Sequence, residues 1–137
     1  LGLTVELSVA GDNSLFIADR NEGNYDFFLG GWYSDYNDPL DFLYTNYTDA
    51  YGMSFGGYSN TDYDALADQL VGETDMDKRL DIYKQMEQIL LLDDCAFAPI
   101  YYATKQVLLQ NWVKDYRTSS FGASAEFIWT YIDGKNQ

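Results

Sequence analysis

The run Gly30-Gly31-Trp32-Tyr33-Ser34-Asp35-Tyr36-Asn37-Asp38-Pro39 holds the residues best placed to do chemistry. An apolar, aromatic stretch ends at two glycines and delivers a tryptophan, a tyrosine and an aspartate at its carboxyl end. In open α/β sheets that is where ligands bind. A carboxylate flanked by aromatic rings can hold a cation, because the rings exclude water and strengthen the pairing. The same spacing fits a blander arrangement equally well, with Asp35 capping the following turn and Trp32 filling the core.

Other chemistries fare worse. The stretch from Asp35 to Asp41 superficially follows a calcium loop, but that pattern needs glycine at its sixth position and glutamate at its twelfth. Leu40 and Asn46 stand there, and Pro39 stiffens the middle. With 22 acidic residues in 137, close carboxylate pairs arise by chance. A glycosidase needs set separations between its two carboxyl groups, and sequence cannot display them. No glycine-rich phosphate cradle occurs. There is no histidine, and Cys95 is the only cysteine. Zinc sites built from cysteine and histidine, an internal disulfide, and serine–histidine or cysteine–histidine nucleophiles are therefore excluded. Cys95, just ahead of an apolar run, reads as a small buried hydrophobe. The reading is a binder with no catalytic residues, no metal site and no cofactor.

Charge narrows the partners. Eight basic residues against 22 acidic ones leave a net charge of −14, a field that repels phosphate backbones and anionic membranes alike. Nucleic acid is not an expected partner. The 18% aromatic content, with 13 tyrosines, argues against disorder and suits a wet, semi-apolar cavity as well as a core edge. The chain opens in strand-like alternation without an initiator methionine, a signal peptide, a lipidation motif or an apolar run of about 18 residues. That pattern fits a cytoplasmic protein, or an excised piece whose targeting signal lies upstream.

The elements that must position the 30–39 run follow from periodicity. Residues 4–9 alternate as a strand, residues 13–14 can cap a short helix over 15–21, and 25–32 reads as a buried strand. That order is a βαβ unit with parallel strands. Pro39 can start a short helix through residue 44, and the rest of 33–58 is a long loop of the kind that carries function. Asn60 caps a helix over 61–71 with Leu66 and Leu70 inward. Thr74 or Asp75 caps another over 76–92, with Met76, Leu80, Tyr83, Met86 (or Ile82) and Leu90 as its inward stripe. Asp75 and Arg79 are spaced as a helical ion pair. Strands are expected over 97–102, 106–109 and 127–132, giving an α/β class.

Taken together, these segments resemble a known family. Gly31-Trp32-Tyr33-Ser34-Asp35-Tyr36-Asn37-Asp38-Pro39-Leu40-Asp41-Phe42-Leu43 is similar to the signature of bacterial solute-binding proteins, family 5, which serve ATP-driven importers of oligopeptides, dipeptides or nickel. Leu1-Gly2-Leu3-Thr4-Val5 is similar to the segment preceding that signature. Tyr58-Ser59-Asn60 with Tyr63, Asp64 and Leu66 resembles one family helix, and Arg79, Tyr83 and Glu87 another. Ala98-Pro99-Ile100-Tyr101-Tyr102 resembles a family strand. Cys95 and the loop from Tyr44 to Gly57 follow no family pattern.

The resemblance implies the carboxy-terminal lobe of a two-lobed fold of the periplasmic-binding-protein type (type II, cluster C). Residues 1–103 would form the second ligand-binding lobe, and 104–137 would return across the hinge toward a first lobe. It implies an oligopeptide ligand held between lobes, with Asp35 pairing the peptide α-amino group and Trp32, Tyr33 and Tyr36 lining the cleft. It further implies permease subunits as partners, an extracytoplasmic place in the periplasm or at the cell surface, and membrane attachment only through an upstream lipid anchor. Trp112, Phe121, Phe127, Ile128 and Trp129 would then lack their native cover, so they should pack back on the lobe or form a dimer. The competing reading is a carbohydrate-binding module using exposed tyrosine and tryptophan rings. Relatives of this kind are also understood to take sugars, nickel chelates or haem.

Overall fold

The computed structural model describes residues 2–49, 55–122 and 125–135. Helix α1 spans Asn13–Glu22, α2 Leu40–Tyr47, α3 Thr61–Leu70 and α4 Met76–Glu87. A 3-10 turn lies at Phe55–Gly57, and α4 continues into a wider π-type turn at Gln88–Asp93. Strands β1 (Val113–Lys114) and β2 (Tyr131–Ile132) pair antiparallel, Val113 opposite Ile132. Among the described residues no helix is long and apolar enough to cross a membrane.

Helices α1, α3 and α4 start where a short polar side chain satisfies their open backbone amides. Asp12 accepts from the Ser14 and Leu15 amides, one residue ahead of the expected cap. Asn60 accepts from Asp62 and Tyr63, and Asp75 from Asp77 and Lys78. With its carboxylate committed to that cap, Asp75 does not pair with Arg79; Arg79 instead reaches Asp38 at 2.9 Å. Pro39 starts α2 as expected, but the helix runs one turn further, to Tyr47.

The core lies where α2, α3 and α4 meet. Leu43, Tyr47, Tyr63, Ala67, Leu70, Ile82, Tyr83, Met86 and Leu90 are buried there, with Leu66 partly covered. The stripe on α4 begins later than the periodicity predicts. Met76 and Leu80 are 71% and 52% exposed, because among the described residues nothing covers this end of α4. Cys95 is exposed, not buried. It sits at φ 50°, the left-handed position that ends the α4 extension, while the Ala96 amide donates back to the Leu90 carbonyl. Chain reversal there turns its side chain outward.

The sheet differs most from expectation. Segments 4–9, 25–32, 97–102 and 106–109 form no hydrogen-bonded ladder among the described residues, and of 127–132 only the last two residues pair. The alternating side chains of Leu3, Val5, Leu7 and Val9 are all more than half exposed. A strand needs a neighbour for its N–H and C=O groups and a layer for its apolar face, and among the described residues neither stands beside these segments. In the tail, Phe127, Ile128 and Trp129 stay exposed, although Arg117 lies over the Trp129 ring and Phe127 meets Tyr116 edge to face. Five residues of the long loop, 50–54, lie outside the described residues.

Candidate functional site

The 32–41 loop is built around two carboxylates with separate tasks. Asp41, in the first turn of α2, is 1% exposed. One of its oxygens accepts from the Trp32 indole Nε1–H and from the Asp35 backbone N–H, both at 2.9 Å. A buried acceptor with two donors fixes the indole plane and the Asp35 backbone together, and it becomes costly to remove.

Asp38 joins the same loop to α4. Its Oδ1 accepts from the Leu40 amide at 2.8 Å and from the Tyr83 hydroxyl, and its Oδ2 pairs with Arg79. Arg79 also donates to the Leu70 and Glu73 carbonyls and to the Tyr83 hydroxyl oxygen, which lashes the end of α3 to the loop. Burial raises the Asp38 carboxyl, but the Tyr83 hydroxyl, the Leu40 amide and the Arg79 charge outweigh it and hold the group below its ordinary range. The Tyr83 hydroxyl is pushed up to about 12, by burial first and by Asp38 next. Protonated tyrosine and ionised aspartate therefore remain a matched donor and acceptor at neutral pH.

Against this frame the four candidate residues divide. Trp32 is half-buried, and its N–H is spent inside the loop on Asp41. Tyr33 and Tyr36 are 62% and 44% exposed. Asp35 is exposed, and its carboxylate makes no hydrogen bond or ion pair among the described residues. The backbone around it is held while its charged group points at solvent. The aspartate thus neither caps the turn nor joins the core; it is Asp38 that accepts from the Leu40 amide at the start of α2. No group of three or more acidic or cysteine side chains converges as a metal site among the described residues.

The tail supplies a second wall. The Gly122 amide donates to the Ser34 carbonyl at 2.7 Å, and the open α-carbon of Gly122 faces the Asp35 carbonyl. Between them an open groove of about 270 Å3 is lined by Tyr33, Ala103, Lys105, Thr118, Ser119 and Ser120. Lys105 Nζ stands 5.2 Å from the centre of the Tyr33 ring. Sequence reading missed Asp41, Lys105 and this tail wall. An acid in the first turn of a helix that opens on apolar and aromatic residues was the one signal available for Asp41.

The positioning role of Asp41 has a measurable consequence. Asp41→Ala is expected to lower stability by about 2 kcal/mol by stranding two donors. Asp41→Asn keeps an oxygen where both point, and should lose about half as much. Chemical denaturation of the two variants checks this, and equal losses would show that the shared acceptor does not hold the loop.

No family model matches the chain. It is 31% identical over 116 residues to the periplasmic oligopeptide-binding protein OppA of Escherichia coli (strain K12), covering 85% of this chain and 21% of that protein. It is 34% identical over 118 residues to the oligopeptide-binding protein OppA of Bacillus subtilis (strain 168), covering 84% and 20%. Among solved structures, the pheromone receptor PrgZ, described with its mode of peptide binding, superposes with a TM-score of 0.72 at 27% identity, over 96% of this chain and 24% of that one. The chain thus spans about a fifth of the length of the curated relatives it matches. Each of these proteins is a binding protein, and the structural match extends over the unpaired segments as well as the helices. This chain belongs to family 5 of the bacterial extracellular solute-binding proteins.

Proposed function

We propose that the chain is part of an extracytoplasmic receptor that binds oligopeptides between two lobes and passes them to the permease of an ATP-driven importer. Residues 1–103 belong to one lobe, 104–137 return toward the other, and Asp35 pairs the peptide α-amino group. The observation that carries this reading is the Asp35 carboxylate, exposed and unpartnered on a backbone that buried Asp41 holds in place. Tyr33 and Tyr36 beside it offer rings to exclude water once a second lobe closes. Every peptide carries an ammonium and a backbone, so this pairing gives affinity without demanding a particular side chain. At about 4 Å and an effective dielectric near 20, the attraction is roughly 4 kcal/mol before desolvation is subtracted. Periplasmic relatives support the location; the lipid anchor would lie upstream.

The test compares free and amino-terminally acetylated forms of one peptide by calorimetry on the intact protein that contains this chain. The free form is expected to bind at least tenfold tighter, about 1.4 kcal/mol. Equal binding removes the amine-anchor role, and binding of oligosaccharide in place of peptide would replace the reading with a sugar receptor.

A further inference from the structure

We infer that Arg79 and Tyr83, which lie on α4 outside the candidate ligand-lining set, are positioning residues that set the preference for a free peptide amine. The inference rests on the Asp35 reading and deepens it, by assigning what holds the loop from behind. Asp41 fixes the front of the loop by gripping the Asp35 N–H. The rear turns on Asp38. Its Oδ1 takes the Leu40 amide at 2.8 Å, and its own N–H donates to the Tyr36 carbonyl at 3.0 Å. Asp38 thus stands between Asp35 and the start of α2, and the placing of its carboxylate decides how Asp35 lies against Asp41.

That carboxylate is held from 41 residues further along the chain. Arg79 Nη1 is spent on the Leu70 and Glu73 carbonyls at 3.2 and 3.1 Å, while Nη2 spans Asp38 Oδ2 and the Tyr83 hydroxyl. A planar guanidinium tied at both of these nitrogens cannot follow the loop, so the loop follows it. The Tyr83 hydroxyl donates to the other carboxylate oxygen, which fixes the rotation of the carboxylate. The Arg79 side chain is only 13% exposed, which leaves water little room to replace these bonds.

The sign of the effect separates this role from a plain charge effect. Arg79 is a cation joined to an anionic loop, and through space it weakens the field that draws a ligand ammonium. Removing its charge would by that route strengthen the preference for a free amine. As a positioning residue it acts the other way. Its loss frees Asp38, lets Asp35 spread over several arrangements, and makes a ligand bear the cost of ordering the anchor.

The experiment is calorimetry on the intact protein that contains this chain, with one peptide in free and amino-terminally acetylated forms, beside a denaturation curve for each variant. The unaltered protein is expected to bind the free form at least tenfold tighter, about 1.4 kcal/mol. Arg79→Gln should cut that ratio to about threefold or less, and Tyr83→Phe, which keeps the ring and the ion pair, should roughly halve it. Asn60→Ala is the control: it removes the α3 cap and lowers stability, but the ratio should stay as in the unaltered protein. A ratio unchanged or raised by Arg79→Gln overturns the proposal, and so does an equal fall in Asn60→Ala. Should Arg79→Gln not fold, Tyr83→Phe decides, and an unchanged ratio there overturns it. Equal binding of both forms by the unaltered protein removes the Asp35 role and this one with it. A tenfold ratio that survives both α4 substitutions removes the positioning role alone.

Discussion

Tyr63→Ala should destabilise the protein by about 3–5 kcal/mol, the range for losing a large buried ring from a packed core. Tyr63 is 0% exposed at the junction of α2, α3 and α4. Its ring meets Tyr58 edge to face at 5.6 Å between centres. Its hydroxyl donates to the Leu43 carbonyl at 2.8 Å, and burial pushes that hydroxyl above the ordinary tyrosine range. The ring thus fills the space between helices while its tip ties α3 to α2, the helix whose first turn carries Asp41. Tyr63→Phe keeps the ring and removes only the hydrogen bond, so it should cost about 1 kcal/mol. Equilibrium denaturation of both variants in the intact protein makes the comparison. Equal losses would show that the hydroxyl, not the packing, holds the helices together.

Asp35→Ala should weaken peptide binding by about 2–5 kcal/mol, the cost of removing one partner from an enclosed charge pair. It should leave stability within about 0.5 kcal/mol of the unaltered protein, as for an exposed side chain. The asymmetry comes from the loop itself. Asp41 grips the backbone N–H of Asp35, and alanine retains that N–H. Asp35 and Asp41, six residues apart, therefore predict opposite phenotypes: affinity without stability for the first, stability first for the second. Calorimetry with one peptide and a denaturation curve for each variant checks both. An Asp35→Ala protein that binds at full strength, or that unfolds easily, would contradict the assignment.

Much of the helical part was legible in the residues. Asn60, and Thr74 or Asp75, marked two helix starts because a short side chain that satisfies backbone amides acts within three residues of its own position; the structure uses Asn60 and Asp75. Leu70, Tyr83, Met86 and Leu90 were readable as inward because helical spacing puts them on one face. Met76 and Leu80 share that spacing yet face solvent, since periodicity marks a face but not how far the opposing helix extends. The loop motif was readable as a unit, and its likeness to peptide-binding relatives held across most of the chain.

The tasks within the loop were settled only by tertiary contacts. Three aspartates, at 35, 38 and 41, are alike on paper. Asp41 is buried under Trp32, Asp38 is claimed by Arg79 and Tyr83 from more than 40 residues away, and Asp35 is left outward. Lys105 reaches the loop from further still at the Tyr33 ring, and Ser119 is brought near it by the Gly122–Ser34 contact. The apolar segments at 4–9, 97–102 and 106–109 give the complementary case. Their strand-like pattern belongs to their own residues, but a ladder is a property of two segments, and these have no second one among the described residues. Local sequence determined which segments can be helix or strand and which residues carry charge, because those preferences act over one or two turns of chain. Which carboxylate is spent on structure and which stays available to a ligand was decided by residues distant in sequence, because burial and ion pairing depend on what packs alongside.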